Sequence, residues 1–222
     1  MGGISIDRAR EGILFLIALV LSISVHEFGH AWFANRLGDP LPRSQGRVTL
    51  SPMAHIDPIG TLLMPIMGFF TGLPLLGWGR PVQTSPVSYN RRFSMRTGHM
   101  LVAASGPAMN LIMATIVSAM VVVGGRLGIM PPSIAEPLIR YMVLLNLSLM
   151  FFNLLPIPPL DGGAVMAGLL PESLQYIPRF LERYGFIILV GLLITGLLSV
   201  LMIPADHISR LWLRGLVGLA YS

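Results

Sequence analysis

The composition of this 222-residue chain excludes an ordinary soluble protein. Hydrophobic residues make up 54% of the chain and charged residues only 11%, whereas soluble domains carry about a quarter charged residues. The net charge of +5 comes from 15 arginines, no lysine and 10 acids. Because the arginines stand in short clusters between apolar runs, they argue against nucleic-acid binding and are typical of a protein oriented in a lipid bilayer. The chain has no cysteine, so any metal would have to be bound by nitrogen and oxygen atoms.

Four apolar segments are long enough to cross a membrane as helices. They are residues 12–36, 100–123, 138–155 and 186–203. Another apolar stretch, 59–78, contains Pro65 and Pro74 and is rich in glycine, so a regular helix is disfavoured there. It is either a kinked membrane span or a re-entrant loop.

A short β-prone run lies between the first helix and this stretch. It consists of Arg47, Val48, Thr49 and Leu50 and is bounded by a glycine and a proline. The run therefore predicts a short β element.

The first predicted membrane helix contains a candidate metal site. His26 and His30 are four residues apart, so their side chains share one helix face and can bind one metal ion. Glu27 is adjacent and can reach a water molecule on that metal. Ionisable side chains are costly to bury in a bilayer, so three of them within five residues indicate function. The alternative is a coincidence or a buried polar pair.

A catalytic zinc site uses three protein ligands and leaves one position for water, so a third ligand is required. The acids that follow the first helix are Asp39, Asp57, Glu136, Asp161, Glu172, Glu182 and Asp206. Asp161 stands out because prolines interrupt the chain before it and two glycines after it allow close backbone approach. If Asp161 is not the ligand, Asp57 and His55 are the next candidates, although His55 is more simply interpreted as a turn residue.

Three motifs together resemble the site-2 protease family of intramembrane zinc metalloproteases. They are His-Glu-Phe-Gly-His at 26–30, Ser-Gly-Pro-Ala-Met-Asn at 105–110, and the run 153–163 that contains Leu-Asp-Gly. The resemblance implies that His26, His30 and Asp161 bind one Zn²⁺ per chain and that Glu27 is catalytic. It also implies a minimal member: a single membrane-embedded domain over 1–222, with a catalytic core at about 11–170 and an additional C-terminal membrane helix at about 185–203.

The expected fold is an all-α polytopic membrane protein with about four to six membrane helices around the zinc site, a short β element and a re-entrant loop after the first helix. Asp161 must meet the histidines at one membrane depth, and two crossings, 100–123 and 138–155, achieve this. A complete crossing by 59–78 would place Asp161 on the opposite face, so we expect that segment to re-enter.

The arginines indicate which face of the membrane carries the site. This topology places Arg36, Arg43, Arg47, Arg80, Arg91, Arg92 and Arg96 on one side and Arg8, Arg10, Arg126 and Arg140 on the other. Because cytoplasmic loops are enriched in positive charge, we expect a multi-pass protein of the cell membrane whose active site opens toward the cytoplasm.

The resemblance implies hydrolysis of peptide bonds in a transmembrane protein substrate, as in regulated intramembrane proteolysis. Zinc-activated water would attack, with Glu27 as general base. Asn110 or Asn153 could stabilise the oxyanion or position the substrate; helix–helix hydrogen bonding is the alternative for each. Residues 47–50 could hold the unwound substrate by strand addition. The alternative function is a non-catalytic metal-binding scaffold or a transporter, since transporters also use broken helices.

Overall fold

The computed structural model describes residues 6–71 and 77–221, and these residues form helices and turns without a β-strand. In chain order the helices are α1 (Ile6–Arg36), α2 (Leu41–Ser44), α3 (Met64–Thr71), α4 (Met95–Arg126), α5 (Pro132–Pro137), α6 (Leu144–Asn153), α7 (Asp161–Leu169), α8 (Tyr176–Ile194), α9 (Leu197–Leu201) and α10 (Ile203–Tyr221). A π-helical turn, Pro58–Leu63, leads into α3, and another, Leu138–Val143, joins α5 to α6. Short 3₁₀ turns occur at Pro52–Ala54, Pro86–Ser88 and Glu172–Leu174.

Three helices in the described part are long and apolar enough to cross a membrane. They are α1, α4 and the continuous helix Pro132–Asn153, which comprises α5, the π turn and α6. Ile112, Ile116 and Met120 form a stripe along one face of α4 and are 47%, 52% and 54% exposed. A continuous exposed apolar surface of this kind is unfavourable in water. Lipid contact accounts for it, and the protein is an integral membrane protein.

Small residues allow α1 and α4 to pack closely. A Cβ atom on Gly29 would lie 2.6 Å from the Ser105 carbonyl oxygen and 2.8 Å from Cγ of Met109. Ala31 and Ala34 are fully buried on the same helix. Close backbone approach through small side chains is the usual way in which membrane helices pack.

A second contact region holds the helix Pro132–Asn153 against α4. The buried residues of this contact are Ala114 and Val117 on α4 and Val143, Leu147 and Met150 on the helix Pro132–Asn153. The C-terminal α10 packs on the same side of α4, where Trp212 donates a hydrogen bond from its indole nitrogen to Ser118 Oγ at 3.0 Å.

The predicted membrane helix at 186–203 is wrong as a single span. Helix α8 ends at Ile194, and Gly196 adopts a positive φ of 75° before α9 begins. Glycine tolerates this left-handed conformation, which commonly ends a helix. The apolar run is therefore divided between α8 and α9, and its last residue begins α10.

The predicted β element at residues 47–50 is also wrong, because these residues form a bend. The Arg47 N–H donates to the Pro42 carbonyl at 2.8 Å, and the Thr49 N–H donates to the Arg47 carbonyl at 2.9 Å. The Thr49 carbonyl is bonded to the His55 imidazole at 2.8 Å. These backbone groups are therefore paired within a local turn and not in a sheet.

The two ends of the apolar stretch 59–78 lie side by side. The Trp78 N–H donates to the Gly60 carbonyl at 3.1 Å, and Thr61 Oγ1 donates to the Trp78 carbonyl at 2.8 Å. Between these ends, α3 extends to the beginning of α1, where the Arg8 guanidinium lies 5.4 Å from the Phe69 ring centroid. Gly60 and Trp78 therefore lie at one level of the helix bundle, and residues 72–76 are outside the described part.

Polar contacts identify the two ends of the bundle. At one end, Glu11 near the start of α1 forms an ion pair with Arg140 at 3.5 Å. At the other end, Arg96 at the start of α4 donates to the Ala167 carbonyl at 2.8 Å and the Gly168 carbonyl at 3.1 Å. The start of α4 and the end of α7 consequently lie together.

Candidate metal centre

Helix α1 places two histidine side chains against α4. Their Nε2 atoms are 3.1 Å apart, and both residues are buried. Gly106 on α4 provides the necessary space, because a Cβ atom there would overlap the His30 ring and lie 2.8 Å from Cε1 of His26. The two histidines thus share one face of α1, as expected from their spacing, and a glycine on the neighbouring helix makes room for their rings.

Asp161 reaches the histidines from the first turn of α7. Its Oδ2 lies 3.1 Å from His26 Nε2, and its Oδ1 lies 3.4 Å from His30 Nε2. The following glycines fix this position: a Cβ on Gly162 would overlap two backbone carbonyls at the end of α6, and one on Gly163 would lie 2.7 Å from Cγ of Pro158. The close backbone approach predicted for this motif is confirmed.

Hydrogen bonds on the outer side of each imidazole determine its tautomer. His30 Nδ1 lies 2.8 Å from the Val102 carbonyl oxygen, which can only accept a hydrogen bond. His26 Nδ1 lies 2.6 Å from Asn110 Oδ1. The Asn110 amide nitrogen donates to the Ser22 carbonyl at 3.2 Å and to Asn146 Oδ1 at 2.8 Å, which fixes the orientation of the amide. Both histidines therefore carry a proton on Nδ1, so Nε2 is the ring nitrogen that each can offer to a metal ion.

The inner side of the cluster brings together the atoms that bind metals. The two Nε2 atoms face the two carboxylate oxygens, and the buried Asp161 Oδ2 accepts no hydrogen bond in the described part of the chain. A cation would compensate this arrangement. The observed separations of 3.1 to 3.4 Å match the edge of about 3.3 Å expected for tetrahedral zinc ligands at 2.0–2.1 Å. The residues present therefore fit one zinc ion.

A cavity of about 480 Å³ opens beside this cluster, and Glu27 lines it together with His26, His30 and Asp161. Glu27 Oε2 accepts a hydrogen bond from the Val82 backbone N–H at 3.1 Å. Within the described residues, the second carboxylate oxygen of Glu27 has no hydrogen-bond partner and is available. An acid, an open volume and a metal-binding group are thus adjacent.

Gly77, Trp78, Gly79, Pro81 and Val82 also line this cavity. Sequence reasoning did not connect Gly79, Pro81 and Val82 with the site. A Cβ on Gly79 would lie 2.5 Å from Cγ2 of Ile23 and 3.5 Å from Cγ of Glu27. The Gly-Trp-Gly sequence at 77–79 was the available signal, because glycines beside an aromatic residue permit close approach of the backbone.

The two asparagines proposed from the sequence occupy different positions. Asn110 is fully buried behind His26 and does not line the cavity, whereas Asn153 lines it and donates to the Leu149 carbonyl at 3.0 Å. The position of Asn110 favours a role in orienting the His26 ring over direct contact with a substrate. Asn146 was missed, although a polar residue within a membrane helix is itself a signal.

The alternative third ligands do not join the cluster. Asp57 uses Oδ1 to accept hydrogen bonds from the backbone N–H groups of Ile59 at 3.0 Å and Gly60 at 2.7 Å. His55 is fully buried and bonded through Nε2 to the Thr49 carbonyl. Among the described residues, His26, His30 and Asp161 form the group that could hold a metal ion.

Comparisons with known proteins agree with this geometry. The model of "Peptidase family M50" matches residues 128–196. The chain is 38% identical over 201 residues to "Putative zinc metalloprotease YwhC" of Bacillus subtilis. The aligned region covers 88% of this chain and 86% of the relative. This chain belongs to peptidase family M50, the site-2 protease family. The protein is therefore a zinc metalloprotease of the membrane.

A more distant relative supports the same family. The chain is 32% identical over 190 residues to "Putative zinc metalloprotease Rip2" of Mycolicibacterium smegmatis, covering 84% of this chain and 69% of the relative. No solved structure matches the chain.

Proposed function

We propose that this M50 protein hydrolyses peptide bonds of membrane-spanning protein substrates, with zinc held by His26, His30 and Asp161. The observation that carries the proposal is the convergence of two imidazole nitrogens and a carboxylate beside Glu27. This group lies next to helices that are apolar enough to span a bilayer. The polypeptide to be cleaved would therefore be reached from within or beside the membrane.

Zinc in such a site acidifies water and polarises a peptide carbonyl. Glu27 acts as the general base: its free carboxylate oxygen takes the proton of the attacking water and later transfers it to the leaving amine. The Val82 N–H keeps the carboxylate oriented toward the cavity. Asn110 and the Val102 carbonyl keep the imidazoles in the tautomer required for ligation. Apolar side chains of Ile23, Leu149 and Phe152 line the same cavity.

We also propose that the stretch 59–78 re-enters the membrane and that the active site opens toward the cytoplasm of the cell membrane. The adjacency of Gly60 and Trp78 supports re-entry. Two crossings, by α4 and by the helix Pro132–Asn153, then bring the start of α7 back to the side on which α1 ends. The arginine-rich loops on that side favour a cytoplasmic orientation. The proposed ligands and base all fall within the expected catalytic core at about 11–170.

A Glu27→Gln variant tests the proposed reaction. We expect about one zinc per chain in both wild type and variant, and loss of cleavage of single-span model substrates in the variant alone. Glu136→Gln is the matched control because Glu136 is exposed and lies outside the cavity. Wild type that binds zinc but cleaves none of the substrate panel would favour the scaffold or transporter alternative. Retained cleavage by Glu27→Gln would refute its role as base.

A further inference from the structure

A second cavity, of about 440 Å³, adjoins the metal centre. It is lined by Gln45, Arg47, Arg80, Pro81 and Gln83. Pro81 also lines the cavity that contains the metal-binding group. The two cavities therefore meet at the segment that carries Val82.

The lining of this second cavity contains two guanidinium groups and no acid. Within the described part of the chain, neither Arg47 nor Arg80 forms an ion pair with an acidic side chain. Gln45 donates from its amide nitrogen to Gln83 Oε1 at 2.7 Å, so these two amides are paired with each other. The cavity is consequently positive and polar.

Arg47 is only 5% exposed although it is charged. Its Nη1 donates to the Ala54 carbonyl and, at 3.3 Å, to the Arg80 carbonyl. Burial lowers the pKa of the Arg47 guanidinium and the charge of Arg80 lowers it further, whereas Glu27 opposes this effect. The carbonyl oxygens fix the position of Arg47 without neutralising it, so a bound anion would compensate its buried charge.

We propose that this cavity binds a phosphate group, with Arg47 and Arg80 as its cationic ligands. Guanidinium groups match the geometry of phosphate oxygens and bind them through paired, charge-assisted hydrogen bonds. The cavity follows α1 and α2 in the chain, so it lies beyond the end of a membrane-spanning helix, where lipid headgroups are found. The phosphate is that of an anionic phospholipid or of a soluble phosphate compound.

Phosphate binding would act on the segment that contacts Glu27. The Arg80 N–H donates to the His55 carbonyl at 2.8 Å, and the Arg80 carbonyl accepts from Arg47. Val82, two residues further on, donates to Glu27. A phosphate held by Arg80 restrains this backbone and thereby the carboxylate of Glu27.

The test uses the full chain and the variants Arg80→Gln and Arg43→Gln. Arg80 is chosen because Arg47 also holds two backbone carbonyls, so its removal endangers folding. Arg43 is the control, since it is exposed and outside the cavity. In detergent, calorimetric titration with inorganic phosphate at constant ionic strength measures soluble binding. In nanodiscs, the shift in unfolding temperature between phosphatidylcholine alone and a mixture with phosphatidylglycerol measures lipid binding.

We expect Arg80→Gln to weaken binding about tenfold or more, while Arg43→Gln binds as wild type does. Binding of inorganic phosphate identifies a soluble source, and an effect of phosphatidylglycerol without phosphate binding identifies a lipid headgroup. The proposal is overturned if wild type responds to neither probe. It is equally overturned if Arg80→Gln responds as wild type does, or if both variants lose binding to the same extent.

Discussion

Replacing Asn110 by alanine should weaken zinc binding although Asn110 is not a ligand. Asn110 is fully buried and accepts from His26 Nδ1 at 2.6 Å. It also donates to the Ser22 carbonyl and to Asn146 Oδ1. Without it, the His26 ring loses the partner that fixes its tautomer and orientation.

The expected size of the effect follows from these three hydrogen bonds. Hydrogen bonds between membrane helices average about 0.6 kcal/mol each, so the loss of all three destabilises the fold by about 2 kcal/mol. Loss of the partner that orients a metal-ligating histidine typically lowers metal affinity or activity by about 10–100-fold. That corresponds to about 1.4–2.7 kcal/mol of binding free energy.

Competition with a chromogenic chelator measures the zinc affinity of Asn110→Ala, and thermal unfolding measures its stability. Ser118→Ala is the matched control: Ser118 is also buried on α4 and hydrogen-bonded to Trp212, but it is remote from the metal-binding group. Asn110→Asp keeps an acceptor for His26 and should recover most of the affinity. If Asn110→Ala bound zinc as tightly as wild type while losing stability as Ser118→Ala does, the residue would serve helix packing alone.

Three other substitutions give further predictions. Asp161→Asn should lower the zinc content well below one per chain, measured by atomic emission, and an unchanged content would show that another residue is the third ligand. Gly106→Ala should displace the imidazole rings and lower zinc affinity. Gly215→Ala is the control and should leave the affinity unchanged, because no atom lies within 4 Å of the added methyl group. Equal affinities of the two variants would contradict the steric argument. Val82→Pro removes the N–H bonded to Glu27 and should slow cleavage about 10–100-fold with zinc retained, while Val82→Ala should cleave normally; equal rates would exclude a role for this hydrogen bond.

The metal-binding group was predictable because side-chain identity and spacing along the chain determine which residues can bind a metal together. A separation of four residues on a helix fixes the relation of His26 to His30, and prolines and glycines mark the backbone around Asp161. The hydrogen bond to Glu27 was not predictable in the same way. It comes from the Val82 backbone N–H, a group that every residue except proline possesses, so only the fold reveals which one is used.

The errors in the predicted elements have a common physical origin. Val48 and Thr49 favour a strand by intrinsic propensity, but tertiary context overrides such preferences, and here the local turn with Pro42 and His55 uses the backbone groups instead. In the run 186–203, hydropathy carries no information about the backbone conformation of Gly196. The left-handed φ of this residue separates α8 from α9. Apolar composition predicted burial in lipid correctly, whereas the ends of helices depended on single backbone positions.

Ser22, Asn110 and Asn146 join three membrane-spanning helices through one polar network. Asn146 donates from Nδ2 to Ser22 Oγ at 2.8 Å and accepts at Oδ1 from the Asn110 amide nitrogen, but it does not bond to His26 in the described structure. Asn146→Ala should therefore lower zinc affinity less than Asn110→Ala does. Because its effect on the metal passes through Asn110, the double variant should bind zinc no more weakly than Asn110→Ala alone. Chelator competition on all three variants checks this, and additive losses would mean that Asn146 acts on the metal centre by a separate route.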